Sequence, residues 1–523
     1  MSRFSLSVDR YTKNWNVSAV LLLGFLFISS SLLFQYGSEL TFFFDEWDFV
    51  LNRTYNASDF LRPHNGHLSL LPVLVYNVLR SLSGIDSYVP FQVAGLLVHA
   101  SVCVGVYAIG KRRSTSIAIV AALFVSLLGT GWQNIMWPFQ IGMMGALSAG
   151  LWAILECTKT EVSPRRVALL CLISLLCAGG GIVVIATVGV ITLYRQNWKS
   201  LTYLSVVGVM YLVWYLNYGV SQSVDGNLGK TPNYVYQSAL GAASGITNNN
   251  TNYGKIFLGV LVLLLVANIY RKQSVQTAIA AIAMATFSWI LTGISRAHLQ
   301  EPSASRYVYV GAVLLVVAFI SLIPKDVSRL VVLPVFVIGV FLMQGNLEIL
   351  KSGSGGLRDV SKNVRSSLGG VDLITGPITS SEPVDSSRAP QIDVKRYQQV
   401  SEKAGKIGFT PNELRMLPQE LRINADNALF RFTSGLHSTI DLNRCGSSSP
   451  FVGSIVKLRP DGTLRLAATS PVLATFRWFT DDVETANVLE MEPGKVYRIQ
   501  NRTSLDTPSL TIIFSEPKIR ICD

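Results

Sequence analysis

Three carboxylates sit among five aromatic residues in the segment Phe42-Phe43-Phe44-Asp45-Glu46-Trp47-Asp48-Phe49. A positioned carboxylate can take the proton from an attacking hydroxyl. Further along come Arg62-Pro63-His64-Asn65-Gly66-His67, which hold two of the chain's five histidines. A second cationic group, Arg296, His298 and Arg306-Tyr307, follows much later. Guanidinium groups suit phosphate, which they bind through paired, charge-assisted hydrogen bonds. Trp132-Gln133-Asn134 and Trp137-Pro138 combine aromatic faces with amides, a set that suits either a sugar or the membrane–water interface. An interfacial belt would account for the aromatic residues around Asp45 but not for three acids among them.

The elements that must position these groups are membrane helices. Half of the 523 residues are hydrophobic and 15% are charged, against about a quarter charged in globular domains. The deficit is concentrated in residues 17–346, whose long apolar runs read as spanning helices. Val17–Gln35 has no small-residue cleavage site after it and reads as a retained first helix. The +12 net charge lies largely at the ends of apolar runs, which sets topology and gives no patch for nucleic acid. Arg3, Arg10 and Lys13 place the N-terminus in the cytoplasm. Lys111-Arg112-Arg113, Lys159, Arg165, Arg166, Arg195, Lys199, Arg271-Lys272, Lys325 and Arg329 mark later inside loops.

About eleven crossings satisfy that pattern. They include a hairpin of two short helices over 167–194, turning at Gly179-Gly180-Gly181, while His67–Leu82 reads as a helix lying on the membrane surface. Arg296, His298 and Arg306 then fall on the outer side, against the positive-inside bias, and an anionic lipid phosphate would explain them. A longer outer loop, 220–254, is a candidate cover for the site.

The expected organisation is a membrane part over 1–346, a loosely structured segment over 347–400 and an extracytoplasmic β-rich domain over 401–523. Short alternating runs support the last: Ser454–Leu458, Thr463–Ala468, Ala474–Phe479, Val496–Gln500 and Ser509–Phe514. Cys445 and Cys522 are the two cysteines of that domain and are expected to pair outside the cytoplasm. No cysteine or histidine spacing suggests zinc.

With the acidic motif directly after the first helix, the chain resembles the GT-C superfamily of membrane glycosyltransferases, which use polyprenyl-phosphate sugars. Asp45-Glu46 followed by Trp47-Asp48-Phe49 is similar to the motif of protein O-mannosyltransferases and lipid A aminoarabinose transferases. Arg62–Gly84 is similar to a segment of bacterial members in which an acid stands at the position of Gly66.

The resemblance implies an α-helical polytopic membrane protein of GT-C type. It would be an inverting transferase moving a sugar from a polyprenyl-phosphate donor to an envelope glycan, glycolipid or protein at the outer face of the membrane. It implies Asp45 as base, with Asp48 the rival, and Glu46 or Asp48 orienting the acceptor or holding a divalent cation. Arg296, His298 and Arg306 would hold the phosphate. Arg62, His64, His67, Trp132 and Tyr307 are further candidates for the site. A lipid-sugar flippase or transporter, and a membrane-anchored assembly or binding protein, are the competing readings. Nearly charge-free crossings count against transport.

Overall fold

The computed structural model describes residues 2–220, 226–325, 329–433, 437–439, 449–450, 455–460, 462–480, 487–505 and 510–522. The chain forms two compact units, one of residues 1–38, 53–78 and 89–356, the other of residues 39–52, 79–88 and 357–523.

Eight helices among the described residues are long and apolar enough to cross a bilayer. They are Val17–Tyr36, Val89–Gly110, Pro138–Cys157, Trp198–Tyr218, Thr251–Tyr270, Gln276–Leu299, Ser305–Leu322 and Val332–Asp372. A pair bent by 43°, Thr115–Ser126 with Gly129–Met136, supplies a ninth candidate. The expected hairpin is present as Pro164–Cys177 and Gly180–Tyr194, and with it the eleven expected segments are all helical. Leu70–Ser83 forms the amphipathic helix expected at the membrane surface. The chain is an integral membrane protein.

In the first unit, Ser305–Leu322 is buried along most of its length, whereas Trp198–Tyr218 and Thr251–Tyr270 expose Val206, Val209, Val213, Leu216, Leu263 and Val266. Apolar side chains left bare on whole helices are stable only where the solvent is hydrocarbon. Cys103, Cys157, Cys171 and Cys177 are buried free thiols.

Residues 347–400, expected as loosely structured, contain the later turns of a helix spanning Arg329–Asp372, two paired strands and the helix Val394–Ala404. The Ser/Gly composition concealed a period of seven. Leu350, Leu357, Val364 and Val371 are all buried, with Ser354, Ser361 and Leu368 buried between them. At about 1.5 Å per residue this helix is roughly 60 Å long, twice the hydrocarbon thickness, so it must continue beyond the bilayer.

The second unit ends in a β-sandwich, with strands numbered along the chain. They are β1 (Pro383–Asp385), β2 (Ala389–Asp393), β3 (His437–Thr439), β4 (Ser449–Pro450), β5 (Ile455–Leu458), β6 (Thr463–Ala468), β7 (Val472–Arg477), β8 (Val488–Met491), β9 (Val496–Gln500), β10 (Leu510–Phe514) and β11 (Ile519–Cys522). One sheet runs β5-β10-β7-β8 and the other β3-β9-β6-β11-β4. Leu458, Phe476, Ile512 and Phe514 of the first sheet meet Leu466, Tyr497, Ile499 and Ile519 of the second in one apolar core. Cys522 is disulfide-bonded; its expected partner, Cys445, lies outside the described residues.

Asp426, on the helix Gln419–Thr433, joins that helix to the end of β7. Its carboxylate accepts the backbone N–H groups of Trp478, Phe479 and Thr480 at 2.9–3.2 Å and the Thr480 hydroxyl at 2.6 Å. Burial pushes the carboxyl up to about 6 while these donors pull it down. Asp426→Ala would strand three consecutive N–H groups, two of them buried, and the expected cost is about 2–4 kcal/mol. Denaturant unfolding of the second unit checks this; a midpoint like that of the parent would show that the contact does not hold the helix to the sandwich.

Candidate functional site

The acidic segment belongs to the second unit. Residues Glu46–Leu51 form a short helix with Asp45 at its N-cap, and the acids of its first turn complement the helix dipole. The Asp45 side chain does not itself cap the helix. At its other end, Arg80 and Arg396 donate to the carbonyls of Val50 (2.6 Å) and Leu51 (2.7 Å).

The three acids then separate by face. Glu46 is fully buried and accepts the Phe43 N–H at 2.8 Å and the Tyr88 hydroxyl at 3.0 Å. Burial, with Glu46 beside it, drives the Tyr88 hydroxyl well above its ordinary range. Asp45 and Asp48, three residues apart and so on one face, are half-exposed. Phe44, immediately before Asp45, has φ 45°, a left-handed conformation that is strained for an aromatic residue.

The aromatic residues form no interfacial belt throughout. Phe42, Trp47 and Phe49 are buried; Phe42 meets Trp47 and Tyr88 edge-on, and Trp47 meets Tyr397. Sequence reasoning missed Tyr88, Arg80 and Arg396, since nothing near the acids pointed to them.

The basic groups belong to the first unit. Arg53 is buried and donates to the carbonyls of Asp59, Arg62 and Pro63, which fixes the loop that follows it. Arg62 itself is exposed. His64 and His67 exchange backbone hydrogen bonds of 2.9 Å, with Asn65 at φ 49° and Gly66 at φ 79° between them. This is a type I′ turn, for which Asn-Gly is the favoured pair. Gly66 therefore stands at the acid's position for a backbone reason.

The turn sets the two imidazoles side by side. His64 lies edge-on to Phe139, which stacks on Trp137. The His67 ring rests on Gly179 of the helical hairpin, where a Cβ would come within 2.5 Å of it. Burial, with the positive charges of Arg296 and His64, holds His67 down to about 4.

Arg296 donates to the Tyr307 hydroxyl at 3.0 Å and has no carboxylate partner among the described residues. The Arg306 guanidinium lies 4.9 Å from the centre of the same Tyr307 ring. Unlike Arg296, it is already paired with Glu301 at 3.0 Å and reaches Gln133 at 3.4 Å. His298 is exposed; its backbone N–H and ring Nδ1 are taken up by Asn227.

Tyr234 was expected on a covering loop. It sits instead on a packed helix, Thr231–Ile246, and is 5% exposed. Its hydroxyl has no hydrogen-bond partner among the described residues. Burial, reinforced by Tyr307, pushes that hydroxyl upward while Arg296 and Arg306 pull it down. Among the described residues no three His, Cys, Asp or Glu side chains are placed to hold a metal ion.

A cavity of about 600 Å³ in the first unit is lined by Trp132, Gln133, Asn249, Gln300, Glu301 and Arg306, among others.

No family model matches the chain, and no curated protein matches it. One solved structure that aligns with it is ArnT from Cupriavidus metallidurans bound to undecaprenyl phosphate. The alignment covers 94% of this chain and 99% of that one, at 12% identity and a TM-score of 0.44.

Because His67 is held neutral when folded and has an ordinary value of 6.5, it binds its proton later than in the unfolded chain. Its contribution to stability is therefore complete above about pH 6.5 and is lost as pH falls towards 4. His67→Gln is expected to flatten the loss of thermal stability across that window. An inflection in activity between pH 5.5 and 7.5 that disappears in the variant would contradict a neutral His67.

Proposed function

We propose that the chain is an inverting glycosyltransferase that uses a polyprenyl-phosphate sugar at the outer face of the membrane, with its N-terminus cytoplasmic and its β-rich domain outside. The acceptor is a hydroxyl on an envelope glycan, glycolipid or protein. The observation that supports this reading is Arg296, which among the described residues has no carboxylate partner, beside the buried Tyr234 hydroxyl, which among them has no hydrogen-bond partner. Together Arg296 and Tyr234 offer charge and a donor to an anion, and an isoprenoid phosphate is an anion that a membrane protein can meet at the bilayer surface.

The acceptor oxygen attacks the anomeric carbon, and its proton passes to a carboxylate of the Asp45/Asp48 face. The bond from the anomeric carbon to the phosphate oxygen breaks with its electron pair. The leaving group is polyprenyl phosphate, whose added charge Arg296 stabilises. Asp45 is taken as the base and Asp48 as the group that orients the acceptor. Glu46, already occupied by Phe43 and Tyr88, positions the helix that carries them. With its oxygens taken up by the Phe43 N–H and the Tyr88 hydroxyl, Glu46 is a positioning group rather than a metal ligand in this reading.

Asp45→Asn is expected to lower transfer by about 10²–10⁴-fold with donor binding retained. Asp48→Asn is expected to act mainly on acceptor KM, and Glu46→Gln on thermal stability. Steady-state assays with a polyprenyl-phosphate sugar separate the three, and near-normal turnover in Asp45→Asn would remove it as the base.

Arg296→Ala is expected to raise donor KM far more than acceptor KM. Arg296→Lys should recover only part of the loss, because it keeps the charge and loses the fork. Full recovery with lysine would mean that Arg296 contributes charge alone.

A further inference from the structure

The cavity beside Arg306 is not an anion site. Among the described residues that line it, the one cation, Arg306, and the one anion, Glu301, are paired with each other. A phosphate or carboxylate entering it would have to displace Glu301 from Arg306. A hydroxyl-bearing ligand would not: a carboxylate accepts from hydroxyls, and a guanidinium donates to them.

The other lining groups match that chemistry. Thr130, Gln133, Asn249, Gln300 and Ser303 contribute neutral hydroxyls and amides. Trp132 contributes an indole whose place is fixed by Gly353, where a Cβ would fall 2.4 Å from the ring. The walls are tied together before any ligand arrives. Ser305 Oγ accepts the Gln133 N–H at 3.1 Å, and Gln133 Oε1 accepts the Arg306 N–H at 3.3 Å. Asn346 accepts the Thr130 N–H at 3.2 Å. Asn249 and Gln300, on different loops, both adopt left-handed backbone, with φ 62° and 54°. The volume, about 600 Å³, lies within the usual range of small-molecule sites, about 300–1,000 Å³.

We propose that this cavity binds a neutral saccharide, with Trp132 as its stacking face and the Glu301–Arg306 pair as its hydroxyl clamp. Tyr307, under Arg306 and bonded to Arg296, separates it from the phosphate-holding group. That the saccharide is the acceptor rests on the glycosyl-transfer reading; that it binds here does not.

The test is saturation-transfer NMR on the full chain in lipid nanodiscs, titrated with maltotriose, mannotriose and tri-N-acetylglucosamine. At least one is expected to bind. Trp132→Ala and Glu301→Gln should each weaken that binding at least about tenfold, the equivalent of one stacking or hydrogen-bonding contact. Glu301 is exposed enough for its variant to fold, so the test does not depend on Trp132→Ala. Arg296→Ala should leave trisaccharide binding unchanged.

Failure of all three sugars to bind, or equal binding by parent and both variants, would overturn the proposal. So would competition by inorganic phosphate, which would make the cavity an anion site. If binding follows the expected pattern but no sugar is transferred from a polyprenyl-phosphate donor, the cavity stands and the transferase reading falls. If transfer proceeds and Glu301→Gln leaves acceptor KM unchanged, the transferase reading stands and the cavity falls.

Discussion

The buried carboxylate of Glu46 is the constraint on which the acidic segment depends. A carboxylate removed from water is costly unless its oxygens are satisfied, and here the Phe43 N–H and the Tyr88 hydroxyl satisfy them. Once Glu46 is fixed inward, the helical period fixes its neighbours. Trp47, Val50 and Leu51 share the buried side, and Asp45 and Asp48 are left half-exposed. Three acids that look equivalent along the chain are thus given different environments by one buried contact, and different environments are what allow carboxylates different roles.

The same helix carries strain at its start and compensation at its end. Phe44 enters it through left-handed backbone, which costs on the order of 1–3 kcal/mol. Phe42 and Trp47, packed with Tyr88 and Tyr397, hold the segment on either side of that residue. Arg80 and Arg396 close the last carbonyls. The strain persists because both flanks are over-determined, and it is placed directly before Asp45, the residue proposed as base.

How much of this the sequence carried depended on the range of the interaction. Apolar runs, basic loops and the glycine turn of the short hairpin are local, and each gave its helix. The sandwich strands alternate locally and were found within a few residues. The period of seven through Leu350, Leu357, Val364 and Val371 is also local but lies under a Ser/Gly-rich composition that by itself points to a loose segment. Asn65-Gly66 was a turn signal in plain view, read only as the loss of an acid. The burial of Trp47 against Tyr397, by contrast, joins residues 350 positions apart in the chain, and no local pattern separates a core tryptophan from an interfacial one.

Arg306 shows why position alone does not assign a cation. Its expected place on the outer side of the membrane singles it out together with Arg296, and both readings rest on the same charge argument. Five residues before it, Glu301 answers that charge, so Arg306 is part of a neutral pair. Among the described residues, Arg296 is answered by a tyrosine hydroxyl and by no carboxylate. A guanidinium with its carboxylate in place has little left to gain from a phosphate, whereas one bonded to a neutral oxygen keeps nearly all of its charge for a ligand. Two arginines flanking one tyrosine ring therefore suit different chemistries: Arg296 an anion, and Arg306 a ligand made of hydroxyls.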